Sequence, residues 1–414
     1  MSPESPHTIY LDNNATTAVA PEVLEAMLPF LTVEYFNPSS VYERAKPAAN
    51  AVRQARETVA AFLGGVAPEE ILFTSCATES VNAAILGAVR ANPGRRHLIT
   101  TAVEHPAVYE VVKDLGRGGF EIEFLPVDRA GQLDPRSLVR ALRPGQTLLV
   151  AVMHANNETG VIFPVADLAR LTKETDPSTL FLSDVTQTAG KMPLDLVSAF
   201  KDVDLLAFSG HKLHSPKGIG VLFVRRGTPL KPFIIGGHQE SGRRAGTENV
   251  PYIAGLARAC QLAEEDHGRV EARIRGLRDR LESGLSLAIP FVEVNGQGAE
   301  RIPNTLNLSV HFIEGEGMLY QLNDHGICAS SGSACTSGSL EPSHVLRAMR
   351  VPFTAMHGSV RFSLGRYNTE DEIESVIAVF PKIVDSLRRL SPYWDPPKNR
   401  PRPEAEAMMN APPG

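Results

Sequence analysis

Polar residues that can do chemistry follow several apolar runs of the chain, at the point where each run ends. Lys212 comes directly after Leu205–Phe208, between a serine, a histidine and a glycine-rich turn. Asp184 follows Leu180–Leu182, and the segment 76–80 offers small and hydroxyl residues at the start of a helical pattern. An amine, a carboxylate and the amide groups of a helix N-terminus are therefore candidates for one site.

Together these groups suit pyridoxal phosphate. Its aldehyde forms a Schiff base with lysine, its phosphate sits on a helix N-terminus, and its ring nitrogen pairs with a carboxylate that keeps it protonated. Lys212 is preferred to Lys217 because Lys217 lies farther from the strand end, inside a turn. Each group also has an ordinary structural explanation, since threonine and serine cap many helices and a lone histidine such as His105 is more often structural.

Short apolar runs alternate with segments of helical period from residue 51 to about residue 223, which predicts an α/β fold with a mainly parallel sheet. Ligands of such sheets bind outside the carboxyl ends of the strands, where the polar groups lie. Residues 218–224 predict a further strand, and their closeness to Leu205–Phe208 favours an antiparallel one. The other strands expected here are Ile71–Thr74, Leu98–Thr101, Leu148–Met153, Leu180–Leu182 and Leu205–Phe208.

The second half of the chain predicts a smaller companion domain. Residues 249–287 form one long stretch of helical pattern, rich in Arg and Glu, that is expected to connect two lobes. We expect a large α/β domain over residues 15–262 and a small α+β domain made of residues 1–14 and 263–393. Residues 394–414 are rich in proline and polar residues and are expected to be disordered.

The composition excludes several classes of protein. Of the 414 residues, 43% are hydrophobic and 21% are charged, which provides for a sizeable core. A formal charge of −6 argues against nucleic-acid and anionic-membrane partners. Four cysteines without a C-x-x-C pair exclude a disulfide framework and indicate a reducing, cytoplasmic setting. The chain also lacks signal-peptide features and any run approaching the ~18 apolar residues of a membrane span.

Several motifs resemble those of the pyridoxal-phosphate-dependent cysteine desulfurases, the type associated with nitrogen fixation and iron–sulfur cluster assembly. The resemblance extends from Ile9 to about Asp371, and the motifs occur in the family's order. They are Tyr10–Thr17, Phe36–Ser40, Thr74–Ser80, Glu104–His105, Asn156–Gly160, Ser209–Lys212, Arg244–Thr247, Ser330–Cys335 and Arg361–Ser363.

The resemblance implies a fold type I homodimer in which Lys212 holds pyridoxal phosphate and Asp184 contacts the ring nitrogen. His105 would stack on the ring and take part in proton transfers. The phenolic oxygen would be contacted by Asn157 and Gln187. The phosphate would be bound by Ala77, Thr78, Ser209 and His211, with Thr247 from the other subunit. The substrate carboxylate would be held by Arg361 and Asn37.

This sequence departs from the family's pattern at two places. Cys76 stands where the family usually has glycine, and it would strain the backbone if the position required a positive φ. Val185 and Thr186 vary the middle of the motif that begins at Asp184.

Cys335 lies in a small, polar, glycine-rich segment, Ser330–Ser339, whose composition predicts a mobile loop. An exposed thiol there is more typical of a reactive than of a structural cysteine, whereas Cys260 and Cys328 have the apolar neighbours of packed residues. We expect the Cys335 thiolate to attack the sulfur of substrate cysteine, which leaves a persulfide on Cys335 and releases alanine. Loop mobility would then let Cys335 deliver the sulfur.

The resemblance thus implies a sulfurtransferase that converts L-cysteine to L-alanine and supplies an iron–sulfur scaffold protein, with nitrogenase clusters as one destination. Cys335 would contact iron only transiently, in a nascent cluster. A selenocysteine lyase or an aminotransferase of the same fold is an alternative. Another is a non-enzymatic sulfur or metal carrier that uses Cys328 and Cys335 as a pair.

Overall fold

The structure is a computed structural model that describes residues 8–265, 267–331 and 342–409. Its helices are α1 (Pro21–Thr32), α2 (Lys46–Phe62), α3 (Ala77–Ala91), α4 (Pro106–Arg117), α5 (Pro135–Ala141), α6 (Val165–Thr175), α7 (Val250–Glu265), α8 (His267–Ala288), α9 (Gly315–Asp324), α10 (His344–Ala348), α11 (Phe353–Met356), α12 (Glu370–Leu390) and α13 (Pro403–Met409). Its strands are β1 (Ile9–Tyr10), β2 (Ile71–Thr74), β3 (His97–Thr101), β4 (Glu121–Leu125), β5 (Thr147–Ala151), β6 (Leu180–Asp184), β7 (Leu205–Ser209), β8 (Gly220–Val224), β9 (Val292–Val294), β10 (Thr305–Val310), β11 (Ile327–Cys328), β12 (Ser359–Ser363), β13 (Trp394–Asp395) and β14 (Arg400–Pro401).

Seven strands form the main sheet, in the order β2-β8-β7-β6-β5-β3-β4. The strands from β7 to β4 run parallel to one another, whereas β8 is antiparallel to both of its neighbours. The predicted mainly parallel α/β sheet is confirmed, and so is the antiparallel strand that follows β7. Because parallel strands share one direction, their carboxyl ends meet at one edge.

Both faces of the main sheet are covered by helices, so all of its strands except β4 are buried on both sides. Along β7, Leu206 and Phe208 pack in one apolar cluster with residues of α2, α6 and α7. The alternate residues Leu205 and Ala207 pack in another, with α3 and α4. This burial on two faces produced the near-continuous apolar runs from which the strands were predicted.

One strand of the main sheet, β4, was not predicted from the sequence. It lies at the edge of the main sheet, parallel to β3, and its side chains alternate between exposed and half-buried positions. Glu121 and Glu123 occupy the exposed positions, as is usual for an edge strand. These charges break up the apolar run that marks the buried strands.

A second, three-stranded antiparallel sheet has the order β12-β10-β9. It packs with α8, α9, α12 and the strand pair β1–β11 around a separate apolar cluster. This cluster contains Ile9, Leu11 and a set of apolar residues between Ile274 and Val384, and on that basis we propose the division into two domains. Residues 345–356, however, pack into the core of the larger part.

The predicted connector is described as α7 and α8, which lie on either side of residue 266, a position outside the described residues. α7 packs on α1 and α2 beside the main sheet, whereas α8 packs on α12 beside the second sheet. Each helix therefore belongs to one of the two cores. A capping box opens α12: the side chains of Thr369 and Glu372 each accept a hydrogen bond from the other residue's backbone N–H group.

The prediction of a disordered tail is wrong for residues 394–409. Trp394 is only 2% exposed and packs with Phe312 and Ala405, and the Arg388 guanidinium lies 4.3 Å from its ring centroid. Residues 394–401 form the hairpin of β13 and β14, and α13 follows. Proline and polar residues dominate the composition, but Trp394, Ala405 and Met409 reach one anchoring cluster. Residues 410–414 lie outside the described part of the chain.

Replacing Trp394 with alanine should lower the free energy of unfolding by about 3–5 kcal/mol, because it empties the center of this cluster. Tyr393→Ala is the matched control. Because the Tyr393 side chain is half exposed, its removal should lower the free energy of unfolding far less. Urea unfolding followed by circular dichroism measures both variants. Equal losses would contradict the packing described here.

Candidate active site

A cavity of about 320 Å³ lies at the carboxyl ends of the main-sheet strands. Side chains that follow β2, β3, β5, β6 and β7 converge on it, together with the N-terminal residues Asn14 and Ala15. Ten of the residues predicted for the site line this cavity: Ala77, Thr78, His105, Asn157, Asp184, Gln187, Ser209, His211, Lys212 and Arg361.

The Lys212 amine is held by backbone carbonyl oxygens. Its Nζ donates to Asn14 O at 2.6 Å and to Ala15 O at 2.5 Å. Both acceptors belong to the segment that follows β1, and Asn14 is itself fixed by Thr305 Oγ1, to which it donates at 2.8 Å. The amine is thus placed at the cavity by groups that are distant in sequence.

Asp184 ends β6 and is 7% exposed. Its Oδ1 accepts a hydrogen bond from the Thr186 N–H at 2.9 Å. Gln187, one turn farther along, donates from Nε2 to Asn14 O at 3.2 Å. A carboxylate in this buried position can accept a charge-assisted hydrogen bond from a cationic group in the cavity.

His105 is the N-cap of α4, and its Nδ1 accepts a hydrogen bond from the Ala107 N–H at 3.1 Å. Burial lowers the pKa of His105, the nearby Lys212 and His344 lower it further, and Asp184 opposes them. The ring is therefore neutral at pH 7, with its proton on Nε2 because Nδ1 is an acceptor.

The N-terminus of α3 forms another wall of the cavity. Its N-cap, Cys76, makes no side-chain capping bond, so the first amides of the helix are not capped by that side chain. Ser209 is buried, and its Oγ has no hydrogen-bond partner among the described residues. His211 bonds to Thr16 Oγ1 at 3.1 Å, and burial with Lys212 and Lys217 lowers its pKa to about 4. Such donors at a helix start suit an anion.

Arg361 brings a buried positive charge to the opposite wall. It lies in β12, is 2% exposed, and donates to Asn157 O at 2.9 Å and to Asp12 Oδ1 at 2.8 Å. A guanidinium held by one carboxylate and one carbonyl keeps donors available for a small anionic group such as a carboxylate.

Two predicted site residues do not reach this cavity. Asn37 is exposed, its Oδ1 accepts from the Ser39 N–H at 2.9 Å, and it shares a shallow cleft with Thr247. Within one chain, Asn37 therefore does not meet Arg361.

The four cysteines have different surroundings. Cys335 lies outside the described residues. Cys260 is fully buried in α7, and burial raises the pKa of its thiol. Cys328 is half-buried in β11. Cys76 has φ −176° and ψ 171°, an extended conformation that any residue adopts, so the substitution of the family's glycine causes no backbone strain.

The sequence analysis did not assign two buried carboxyl groups beside the cavity. Glu104 Oε1 accepts from Thr101 Oγ1 at 2.8 Å and from the Met153 N–H at 3.0 Å, and burial raises its pKa to about 8. Glu158 accepts from Ser343 Oγ at 2.5 Å, and burial also raises its pKa. Each follows a buried strand in a polar run, which is the signal that marked its neighbours.

The described residues contain no cluster of three or more His, Cys, Asp or Glu side chains able to hold a metal ion. Within the same part of the chain, no helix is long and apolar enough to cross a lipid bilayer.

Comparison with known proteins gives consistent matches. The aminotransferase class-V family matches residues 9–376. A cysteine desulfurase of Trichormus azollae is 54% identical over 388 residues, which cover 93% of this chain and 95% of that protein. Cysteine desulfurase NifS of Azotobacter vinelandii is 49% identical over 386 residues, again 93% of this chain and 95% of that protein.

Solved structures show the same likeness. A NifS-like protein has a TM-score of 0.86 and 39% identity, covering 92% of this chain and 100% of that one. The apo structure of a cysteine desulfurase from Thermococcus onnurineus has a TM-score of 0.81 and 29% identity, covering 92% of this chain and 95% of that one.

The raised pKa of Glu104 should make stability depend on pH. The folded state retains the proton up to about pH 8, whereas the unfolded chain releases it near pH 4.5. The contribution of Glu104 to the free energy of unfolding is therefore complete below about pH 4.5 and is lost as the pH rises toward 8, by at most ~1.4 kcal/mol per pH unit.

Glu104→Gln, a neutral isostere, should remove this loss, so its stability relative to wild type should increase with pH. Urea unfolding over this pH range measures the difference. The matched control is Glu110→Gln, at an exposed position of α4, which should follow wild type. An unchanged pH slope in Glu104→Gln would show that Glu104 is ionised in the folded protein.

Proposed function

Because the chain belongs to the class-V aminotransferase family and, within it, to the cysteine desulfurases, we propose that it converts L-cysteine to L-alanine by moving the substrate sulfur to Cys335. The family resemblance inferred from the sequence motifs is confirmed. The observation that carries the proposal is the convergence of Lys212, Asp184 and the N-terminus of α3 on one cavity. The overall step is balanced, since cysteine and the Cys335 thiol give alanine and a Cys335 persulfide.

Both families are pyridoxal-phosphate-dependent, and the residues of the cavity fit that cofactor. Ser209 Oγ is buried without a partner among the described residues and lies beside a helix start whose N-cap side chain makes no capping bond, which suits a phosphate site. Asp184 is a buried carboxylate suited to a protonated ring nitrogen. When bound, the cofactor supplies an electron sink for charge that develops on the substrate α-carbon.

We assign Lys212 as the lysine that holds the cofactor aldehyde. The groups assigned to its phosphate are Ala77, Thr78, Ser209 and His211. The groups assigned to its phenolic oxygen are Asn157 and Gln187.

The remaining residues of the cavity would bind substrate and move protons. Arg361 would hold the substrate carboxylate, because its guanidinium is buried and only partly neutralised by Asp12. Lys212, once its amine is released, is the base assigned to the α-proton. His105 holds a proton on Nε2 at neutral pH, so the neutral ring can donate a hydrogen bond there. It would take part in proton transfers by first accepting a proton and then passing it on.

The ends of the segment that contains Cys335 support its assignment as the sulfur acceptor. On one side, Ser330 exchanges backbone hydrogen bonds with Arg361. On the other side, Ser343 donates to Glu158, and His344 bonds to the Glu104 carbonyl at 2.9 Å. Cys335 is four residues from Ser331, a tether of at most ~14 Å, which would allow the thiol to reach toward Arg361 and the cavity.

A persulfide on Cys335 can be attacked by other thiols, which would release its outer sulfur as sulfide. In the reducing cytoplasm proposed for this protein, a dedicated acceptor would therefore have to take the sulfur directly. The proposed acceptor is an iron–sulfur scaffold protein, with Cys335 in transient contact with iron of the nascent cluster. The name NifS of the Azotobacter relative supports nitrogenase as one destination of the sulfur.

We also propose that the protein is a homodimer. Leu24, Leu28 and Leu31 follow one another on the outer face of α1 at helical spacing, and each is about half exposed. The apolar side chains of the following segment, including Val33 and Val41, are more exposed still. An apolar face of this kind is typical of a protein–protein interface.

The shallow cleft that contains Asn37 and Thr247 is bordered by Phe30 of α1 and by Tyr35, next to this exposed apolar face. In a dimer formed through the face, both residues would be carried toward the partner subunit. The proposed roles of Thr247 toward the phosphate and of Asn37 toward the substrate would then be exerted on the cavity of the other subunit.

Adding L-cysteine to the purified yellow protein should yield alanine and a Cys335 persulfide in equal amounts in a single turnover, measured by amino-acid analysis and peptide mass mapping. Cys335→Ala should abolish sulfur release, because no thiolate remains to attack the substrate sulfur. Cys328→Ala is the matched control and should retain most activity, since Cys328 is half-buried in β11.

Sulfur release by Cys335→Ala at the wild-type rate would contradict the persulfide mechanism and favour a lyase or an aminotransferase. Borohydride reduction followed by mass mapping tests the cofactor separately. The expected adduct is pyridoxyl-Lys212, and its absence would favour a non-enzymatic carrier.

The double variant Leu28→Glu with Leu31→Glu should shift the protein from dimer to monomer, because two carboxylates would be buried without partners in the interface. Sedimentation velocity measures the change. Leu287→Glu, at an exposed leucine of α8, is the matched control and should stay dimeric. A double variant that remains dimeric would place the interface elsewhere.

A further inference from the structure

Lys191 is a second amine close to Lys212 that the proposed function does not use. It lies in the turn after β6 and lines a smaller cavity of about 70 Å³ between the main sheet and α8, which we call the rear cavity. Lys212 lines both this rear cavity and the larger one, whereas Lys191 lines the rear cavity only. Lys191 therefore lies on the side of Lys212 that faces the rear cavity, and it does not contact the larger cavity.

The Lys191 ammonium is bonded to Gln187. Its Nζ donates to the Gln187 backbone O at 3.1 Å and to the side-chain Oε1 at 3.2 Å. Gln187 Nε2 in turn donates to Asn14 O, the carbonyl oxygen that also accepts from Lys212 Nζ. A continuous set of hydrogen bonds thus runs from Lys191 through Gln187 and Asn14 to Lys212.

These partners allow only one orientation of the Gln187 amide. The Lys191 ammonium, the form that prevails below about pH 7, offers donors alone, and a backbone carbonyl offers an acceptor alone. A flipped amide would set its NH₂ group against the Lys191 ammonium and its oxygen against Asn14 O. Gln187 is 5% exposed, so water cannot readily replace either partner.

The charges around Lys191 are mostly positive. Burial, together with the positive charges of Lys212 and Arg361, lowers its pKa to about 7. The other charged or titratable side chains that line the rear cavity are His214, Arg366 and Glu271. His214 is neutral at pH 7, since burial lowers its pKa to about 4.

We propose that Lys191 is a positioning residue for this reaction: it fixes the Gln187 amide with its NH₂ group toward Asn14 O, and so holds the groups that place Lys212. The inference rests on the proposed function, because Gln187 and Lys212 are assigned there to the cofactor. Lys191 itself touches neither cofactor nor substrate.

The test compares holoenzyme variants by absorption titration of the bound chromophore and by steady-state kinetics. Lys191→Met should raise the midpoint of the chromophore's pH titration by about half a pH unit or more. The variant loses the hydrogen bonds that fix the Gln187 amide, and it also loses a positive charge close to Lys212. It should lower kcat on the order of tenfold, with KM for cysteine changed less than about twofold. Lys173→Met is the matched control: Lys173 is likewise half-buried and donates to the Thr179 carbonyl at 2.7 Å, but it does not line either cavity.

A double-mutant cycle separates positioning from general destabilisation. In a Gln187→Met background, Lys191→Met should add little further shift of the midpoint, since the group through which it acts is gone. If the shift is the same in both backgrounds, or if Lys173→Met produces it too, the inference is overturned. Should Lys191→Met fail to fold, Lys191→Gln replaces it in the same cycle. A wild-type protein with no chromophore would instead refute the proposed function.

Discussion

The contact of the Lys212 amine with the carbonyl oxygens of Asn14 and Ala15 is the constraint on which the site depends. Lys212 follows a strand of the main sheet, whereas Asn14 belongs to the segment anchored by Thr305 of the second sheet. Backbone oxygens cannot rotate away as side chains can. The amine therefore stays in place only while the two sheets keep their relative position. The position of Lys212 Nζ thus depends on how the two parts of the chain pack together.

The electrostatics of the cavity follow from this arrangement. Lys212 and Arg361 both bring positive charge into a poorly solvated space, and Asp12 neutralises Arg361 only in part. The same burial that raises the pKa of Glu104 and Glu158 keeps these carboxyl groups from cancelling that charge. The result is a cavity suited to a ligand that carries both phosphate and carboxylate groups.

The parts of the fold with strong local signals were predictable from sequence. β6 and β7 are buried on both faces, which leaves an apolar run that ends at a polar residue, and this pattern located Asp184 and Lys212. β4 was missed because an edge strand carries charges such as Glu121, and the ordered tail was missed because its anchor is a single residue, Trp394, in a proline-rich stretch. The carbonyl groups of Asn14 and Ala15 could not be found at all, since every residue has one and only the tertiary structure shows which of them meet the amine.

Trp394 has a further practical consequence, because it is the only tryptophan in the chain. Its ring is buried in the cluster that anchors the tail, against the Arg388 guanidinium and away from the cavity. Intrinsic fluorescence excited at the red edge of the protein's absorbance is therefore a label-free reporter of whether the tail is docked. Displacement of the tail by an acceptor protein would change the emission of Trp394 and could be detected in this way.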